Sequence, residues 1–175
     1  MDISKIAIGD KAPEEFNAII EIPAGGNPVK YEIDKESGML VVDRFVATDM
    51  FYPCNYGFVP HTLALDGDPI DVLVFTHMVI MPASVIKVRP IGVLNMSDES
   101  GVDSKILCVP ISKVTKYYDN IKTYKDLPEL TLAQIKHFFE HYKELESGKW
   151  VKVEDYQGVD EAKAQIIDSI KRYKQ

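Results

Sequence analysis

Short apolar runs occupy the first two thirds of the chain, and clusters of turn-forming residues separate them. The runs cover residues 16–22, 29–33, 39–46, 72–81, 85–94 and 105–111, and the clusters between them include AGGNP, ESG, DGDP and SDESG. The runs are rich in β-branched and aromatic residues, which favour strands. Regular short strands without helices between them predict an antiparallel meander or a small closed barrel, because parallel βαβ units need a helix in each connection.

The last third of the chain has the period of helices instead. An apolar stripe follows Pro128 at steps of three and four residues, at Leu132, Ile135, Phe139, Tyr142 and Leu145. This stripe predicts a helix, with Asp126 as its expected N-cap. A second helix is predicted from about Asp160 to the C-terminus by the spacing of Ala162, Ile166, Ile170 and Tyr173. The whole pattern predicts an α+β fold in one domain, residues 1–175, with two helices packed on a β core.

Composition narrows the class of protein. The 175 residues are 46% hydrophobic and 27% charged, which is the balance of a globular protein and excludes a disordered or collagen-like chain. The formal charge of −7 opposes binding to a nucleic-acid backbone. Cys54 and Cys108 lack CxxC spacing, so no disulfide framework is predicted. The N-terminus lacks an apolar signal region, and no apolar run approaches the roughly 18 residues of a membrane span. We therefore expect a cytoplasmic protein that does not bind membranes.

The segment DGDPID places Asp66, Asp68 and Asp71 within six residues, and its Gly67 and Pro69 favour a turn. Apolar flanks, ALAL and VLVF, anchor this loop at both ends. Carboxylates held this close favour a hard divalent cation, although a solvated acidic loop is the alternative. The calcium loop of an EF-hand does not fit, because its Gly at position 6 and Glu at position 12 are absent.

A second acidic segment, SDESGVDSK, contains Asp98, Glu99, Asp103 and Lys105 between two predicted strands. An exposed hairpin turn is the alternative interpretation. If the two acidic loops lie at neighbouring strand ends, they form a site for more than one metal ion.

Cationic and phenolic side chains complete the candidate site. Lys30 and Glu32 alternate in one run and so share a face, and Arg44 interrupts an apolar run. Charged residues in strands commonly face solvent, but Lys and Arg that face an acidic cavity would bind phosphate. Tyr52 and Tyr56 fit a core, yet a phenol also donates to phosphate oxygen.

The predicted first helix carries a competing motif, HFFEH. Its His137, Glu140 and His141 match the H-x-x-E-H pattern of inverted zinc metalloproteases. That class needs a further downstream ligand, and only 34 residues follow His141. We therefore interpret the motif as a packing face against a neighbouring element or another subunit.

Taken together, these residues resemble the soluble inorganic pyrophosphatases of the first family, in the short bacterial form. DGDPIDV matches the signature loop of that family. Other pieces of the family pattern appear in the expected order over nearly the whole chain: EIPAGGNPVKYEID, DRF and FYPCNYGFVP before the loop, and DESGVDSK and HYKELESGKWV after it.

The resemblance implies a five-stranded barrel of the oligonucleotide-binding type, with extra hairpins and two packed helices. It implies hydrolysis of pyrophosphate to orthophosphate with several Mg²⁺ ions, which Mn²⁺ can replace, in a hexamer built as a dimer of trimers. Asp68 would orient or deprotonate the attacking water. The metal ligands would be Asp66, Asp71 and Asp103, with further ions held by Asp98 and Glu32 and bordered by Glu21. The phosphates would be bound by Lys30, Arg44, Tyr56, Lys105, Tyr142 and Lys143.

Two other classes of protein share parts of this pattern. A non-enzymatic divalent-cation-binding protein would keep the acidic loops but would not need the cations and tyrosines. An oligonucleotide-binding barrel would use its aromatic residues for stacking and would need a basic groove, which the acidic balance opposes.

Overall fold

A computed structural model describes residues 2–175, which form a largely β core with two helices. The strands are β1 (Phe16–Ile22), β2 (Val29–Ile33), β3 (Leu40–Phe45), β4 (Asn55–Phe58), β5 (Asp71–Val74), β6 (Val85–Asp98), β7 (Gly101–Val102), β8 (Lys105–Pro110) and β9 (Val151–Gln157). The helices are α1 (Glu129–His141) and α2 (Val159–Tyr173). The predicted α+β class is confirmed.

Seven of these strands belong to one sheet, in which five of them pair in a cycle. The order β1-β4-β5-β8-β6 is hydrogen-bonded from neighbour to neighbour, and β6 pairs again with β1. The long strand β6 makes this possible because its register shifts between Pro90 and Gly92, so its first part reaches β1 and its second part reaches β9. The strands β7 and β9 extend the sheet from β6.

One pairing departs from the predicted antiparallel pattern. The strands β5 and β8 run parallel, with Asp71 opposite Lys105, whereas the other pairs in the sheet are antiparallel. A parallel pair needs a long connection, and β6 and β7 lie between β5 and β8 in the chain. This pair is not part of an antiparallel meander, which was one of the two arrangements that the sequence predicted; a small closed barrel was the other.

The strands β2 and β3 form a separate two-stranded sheet on the surface. Val41, Val42 and Phe45 of this sheet are exposed. Lys30 pairs with Arg44 across this hairpin, which places both cations at the same end of the two strands.

Alternating positions of the central strands bury two faces of the sheet. Leu73 and Leu107 pack with α1 residues such as Phe139. Their neighbours Val72 and Ile106 pack on the opposite side, where α2 contributes Ala162 and Ile166. Because both faces are covered, these strands read as continuous apolar runs in the sequence.

Several boundaries differ from the sequence prediction, and those of α1 are among them. Pro128, not Asp126, is the N-cap of α1; the Asp126 carboxylate instead accepts hydrogen bonds from the backbone N–H groups of Lys122 and Thr123 in a preceding 3₁₀ turn. The helix ends at His141 rather than continuing to Leu145, which is exposed.

Another difference is the run predicted over residues 72–81. It is a strand only at Asp71–Val74, because the chain then turns into an exposed loop that contains Met78, Val79 and Met81. No helix within residues 2–175 is long and apolar enough to cross a membrane.

Candidate active site

One cavity of about 280 Å³ opens beside the ends of β5, β6 and β8. Its lining includes every side chain that the sequence analysis selected for catalysis, metal binding or substrate binding. These are Glu21, Lys30, Glu32, Arg44, Tyr56, Asp66, Asp68, Asp71, Asp98, Asp103, Lys105, Tyr142 and Lys143. The two acidic loops therefore converge, while the individual roles of these residues stay predictions.

The parallel pairing of β5 with β8 organises the centre of the cavity. It sets Asp71 beside Lys105, whose side-chain Nζ lies 2.5 Å from Asp71 Oδ2 and also contacts Asp103 Oδ1. The Tyr56 hydroxyl donates to the same Asp71 oxygen at 2.6 Å. Lys105 is only 2% exposed. Burial disfavours its charge, but the attraction of Asp71 and Asp103 outweighs burial and raises its pKa.

Burial raises the pKa of the carboxyl groups in this centre, whereas it acts to lower the pKa of Lys105. Burial is the main cause that raises the pKa of Asp71, and the negative charge of Asp103 adds to it, against the hydrogen bonds from Lys105 and Tyr56. Burial also raises the pKa of Asp66. Both acids are therefore costly to ionise without a nearby cation.

The DGDPID loop presents its acids at different depths. Asp66 Oδ1 accepts a hydrogen bond from the Asp68 backbone N–H at 3.0 Å, which closes a local turn. Gly67 adopts φ +94°, a conformation that glycine enters without steric cost. The Asp68 side chain is 73% exposed at the cavity mouth, where Lys35 Nζ lies 2.8 Å from its Oδ1. Asp68 is thus accessible to water, while Asp71 lies deeper.

The β2–β3 hairpin supplies the cationic wall. Lys30 contacts Glu32 on the shared strand face that the sequence predicts, and it lies 3.4 Å from Asp43. Arg44 contacts Asp43 at 2.7 Å and reaches Glu146, after α1, at 3.3 Å. The first three contacts lie within the hairpin, and the pair of Arg44 with Glu146 links the hairpin to the segment after α1.

The opposite wall pairs the segment after α1 with the second acidic loop. Lys143 Nζ lies 2.7 Å from Asp98 Oδ2, and both side chains are buried. Lys149 Nζ lies 2.5 Å from Glu99 Oε1. Although partial desolvation opposes it, the hydrogen bond from Lys149 together with the charge of Lys143 lowers the pKa of Glu99 to about 2.

Glu21 and two tyrosines complete the lining of the cavity. Glu21 is 7% exposed and accepts a hydrogen bond from the Ile33 backbone N–H at 2.7 Å. Burial raises the pKa of Glu21 to about 8, and the nearby charge of Asp71 contributes. Tyr52 and Tyr142 form an aromatic wall, with ring centroids 6.4 Å apart.

As a whole, the lining carries eight carboxylic acids and six basic side chains. The slight acidic excess suits bound dications, and the basic side chains suit a polyanion that arrives with them. Carboxylates alone would bind a metal, and basic groups alone would bind an anion, so the mixture favours metal-assisted chemistry on phosphate.

The sequence analysis did not assign Lys35, Lys149 or Glu146 to the site. Glu146 and Lys149 lie inside the piece HYKELESGKWV that carries the resemblance, which is the one signal that pointed to them. Lys35 sits in a turn and resembles an ordinary surface charge. In contrast, His137, Glu140 and His141 lie outside the lining of this cavity among the described residues.

Comparison with known proteins gives the family of the chain. The sheet core and the mixed lining are those expected of a hydrolase that acts on phosphate. A sequence profile described as "Inorganic pyrophosphatase" matches residues 18–174, so the chain belongs to the inorganic pyrophosphatase family, whose known reaction is the hydrolysis of pyrophosphate.

Individual relatives cover nearly all of the chain. The inorganic pyrophosphatase of Escherichia coli K12 is 58% identical over 174 residues, which are 99% of both chains. A crystal structure of an inorganic phosphatase from Anaplasma phagocytophilum superposes with a TM-score of 0.96 at 51% identity, covering 98% of this chain and 100% of that one. The inorganic pyrophosphatase of Thermus thermophilus gives 0.94 at 41% identity over 100% of both chains.

Proposed function

We propose that this chain hydrolyses inorganic pyrophosphate to two orthophosphates with a metal-activated water in the cavity described above. The observation that carries the proposal is the convergence of Asp71 and Asp103 beside a wall of cations that includes Lys30 and Arg44. This arrangement can bind both the dications and the diphosphate.

The donor set fits magnesium. Asp66, Asp71 and Asp103 offer hard oxygen ligands, and the oxygens of Asp71 and Asp103 already converge on one cationic group, the ammonium of Lys105. We assign these three acids to the first Mg²⁺ ions, with Glu32 and Asp98 holding further ions and Glu21 bordering them. Mn²⁺ shares the preference for oxygen ligands and can substitute. Bound magnesium lowers the pKa of a coordinated water and neutralises charge on the phosphates.

Asp68 is the group that we assign to the attacking water. It is exposed at the mouth, and its loop is held by the bond from its own N–H to Asp66. Its carboxylate accepts a proton from water in that position, so the proton is held at Asp68 while the nucleophile attacks.

The two phosphates would contact Lys30, Arg44, Tyr56, Lys105, Tyr142 and Lys143. Several of these donors are engaged with carboxylates, as Lys143 is with Asp98. A phosphate oxygen would compete with that carboxylate for the ammonium, and Asp98 would then be free to hold a metal ion. Arg44 is suited to bidentate contact with a phosphate.

Several finer features follow from the same family relationship. We propose that the cycle of β1, β4, β5, β8 and β6 is the five-stranded oligonucleotide-binding-like barrel of this family and that residues 1–175 form one domain. We further propose a cytoplasmic hexamer, assembled as a dimer of trimers. We expect neither nucleic acid nor membrane as a partner, given the formal charge of −7.

Release of phosphate from pyrophosphate, measured with and without Mg²⁺, tests the proposal. We expect hydrolysis to require the metal and to favour pyrophosphate over ATP, because a site that binds both terminal phosphates leaves no room for a nucleoside. Full activity in excess chelator would contradict the metal mechanism, and equal turnover of ATP with Mg²⁺ would contradict the specificity. Binding of Mg²⁺ without any hydrolysis would support a cation-binding protein instead.

A further inference from the structure

The last turns of α2 are tied to the chain just before the DGDPID loop. Leu63 has both of its backbone groups bonded to this helix: its N–H donates to the Ser169 carbonyl at 3.0 Å, and its carbonyl accepts from Arg172 Nε at 2.8 Å. Ser169 is fully buried, so these bonds belong to the packed structure. The Tyr173 hydroxyl also lies 3.2 Å from Nδ1 of His61. The end of α2 therefore holds the start of the loop.

Hydrogen bonds inside the loop carry this anchor to its acids. The Ala64 N–H donates to the Asp68 carbonyl at 2.6 Å, which closes residues 64–68 into a turn. The Asp66 carboxylate accepts from the Asp68 N–H at 3.0 Å, so this side chain is fixed relative to the turn. The turn follows directly after Leu63, and its orientation therefore depends on the contact with α2.

The neck of the loop has a separate closure. Thr62 Oγ1 accepts from the Ile70 N–H at 3.0 Å and donates to the Val59 carbonyl at 2.7 Å. These bonds join the two ends of the loop to each other, whereas the bonds of Leu63 join the loop to α2. Loss of the Arg172 bond should therefore loosen the turn without opening its neck.

The three acids that we assign to the first Mg²⁺ ions are supported in different ways. Asp71 is the first residue of β5, and the Asp103 N–H donates to the Met96 carbonyl of β6 at 2.9 Å. Asp66 instead lies in the turn outside the sheet. Because Mg²⁺ demands near-ideal octahedral geometry, a displaced ligand weakens its binding. The placement of Asp66 is thus the part of the proposed metal site that the sheet itself does not fix.

We propose that Arg172 is a positioning residue for metal binding, since its bond to Leu63 fixes the turn that brings Asp66 to the other two acids. The planar guanidinium donates in a fixed direction, which suits this task. Arg172 lies outside the lining of the cavity among the described residues, so it acts through the loop rather than on the ions. The inference rests on the proposed metal assignment and extends it to the end of α2.

Calorimetric titration of the metal-free protein with Mg²⁺, without substrate, tests the inference. The test variant is Arg172→Met, which removes the donor. The matched control is Lys171→Met, which removes the same charge from the neighbouring residue; Lys171 pairs with Asp168 at 3.0 Å, and both side chains are exposed. We expect Arg172→Met to weaken Mg²⁺ binding by about 3- to 10-fold, the effect of one lost hydrogen bond, and the control to bind like the wild type. Equal affinity in the wild type and Arg172→Met, or an equal loss in the control, would overturn the proposal.

The double variant Asp66→Asn/Arg172→Met separates positioning from a general loss of stability. If Arg172 acts through Asp66, adding Arg172→Met to the Asp66→Asn protein should change the Mg²⁺ affinity by less than about 2-fold. The same loss in both backgrounds would refute the positioning role. Circular dichroism in chelator verifies that α2 is retained.

A second variant, Arg172→Lys, retains the charge and a donor. We expect it to weaken Mg²⁺ binding less than Arg172→Met does, and an equal loss would contradict the proposal because methionine has no donor. The wild-type titration shows which idea fails. A wild-type protein that binds no Mg²⁺ would contradict the metal assignment itself, whereas normal Mg²⁺ binding by both wild type and Arg172→Met would contradict the role of Arg172 alone.

Discussion

Lys105 Nζ lies 2.5 Å from Asp71 Oδ2 across the parallel pair of β5 and β8. The same ammonium contacts Asp103, so one buried cation serves two acids of the proposed metal site. The lysine thus partly offsets the repulsion between carboxylates that the cavity brings together.

Replacement of Lys105 by Met is expected to destabilise the protein more in chelator than in Mg²⁺. Loss of one partner from a buried ion pair typically costs about 3–5 kcal/mol, because the other charge stays buried and unpaired. Added Mg²⁺ should recover part of this loss by occupying the same carboxylates. Denaturant unfolding under both conditions measures the difference.

Lys136→Met provides the matched control for that experiment. Lys136 pairs with Asp155 at 3.2 Å, but the Asp155 side chain is 97% exposed. Exposed pairs contribute roughly 1 kcal/mol or less, so this variant should unfold almost like the wild type in either buffer. An Mg²⁺-independent loss in the Lys105 variant would contradict the idea that metal and lysine share ligands.

Glu21 should make the metal-free protein less stable as pH rises. Its pKa is raised to about 8 in the folded chain, above the usual 4.5, so the folded state binds the extra proton between these values. Unfolding free energy therefore falls with increasing pH through that window, by less than about 5 kcal/mol in total. Glu21→Gln keeps an acceptor for the Ile33 N–H and should flatten this slope. Parallel pH profiles of the two proteins in chelator would refute the raised pKa.

Gly57 beside Tyr56 is predicted to tolerate no side chain. A Cβ at this position would lie 1.9 Å from the Ile19 carbonyl oxygen, where β4 pairs with β1. Because backbone cannot move aside cheaply, Gly57→Ala should lower the unfolding free energy by about 2–4 kcal/mol. Gly158→Ala is the control, because a Cβ at Gly158 would have no atom within 4 Å. We expect this variant to lose about 1 kcal/mol or less of unfolding free energy. Similar losses in both variants would exclude the steric cause.

The sequence selected side chains that line one cavity, whereas it missed some of the strands around that cavity. The clustered carboxylates of DGDPID and SDESGVDSK can be recognised in the sequence without knowing which strands pair. The resemblance to a known family then supplied the other candidate residues. The bounds of β1 and β2 were confirmed, since their apolar runs end at clear turn residues.

Other elements left no comparable local signal. The strand β4 lies in FYPCNYGF, where Pro53 and Gly57 suggest a turn, and it is a strand because it pairs with β1 and β5 on its two sides. In the strand β9, charged residues alternate with Val151 and Val153, and its strand conformation depends on the pairing with β6. The parallel contact between Asp71 and Lys105 is likewise a long-range property that no local pattern encodes.

Asp71→Asn should raise the Mg²⁺ concentration for half-maximal hydrolysis by about an order of magnitude or more. The substitution removes a full negative charge from one of the three acids that we assign to the first Mg²⁺ ions, and we propose that Asp71 is shared between two of those ions. Saturating Mg²⁺ should restore much of the rate. Activity titrated against Mg²⁺ measures this shift, and an unchanged half-saturation value would remove Asp71 from the metal ligands.

Asp68→Asn should behave in the opposite way, although it lies in the same loop. Asp68 is exposed at the mouth, and its amide replacement cannot accept a proton from water. General-base assistance is typically worth about 10²- to 10⁴-fold, so kcat should fall by that range at saturating Mg²⁺ while half-saturation by Mg²⁺ barely changes. The two variants are compared in the same titration of activity against Mg²⁺. If extra Mg²⁺ returns Asp68→Asn to wild-type turnover, Asp68 is a metal ligand, and the proton acceptor must be sought elsewhere in the cavity.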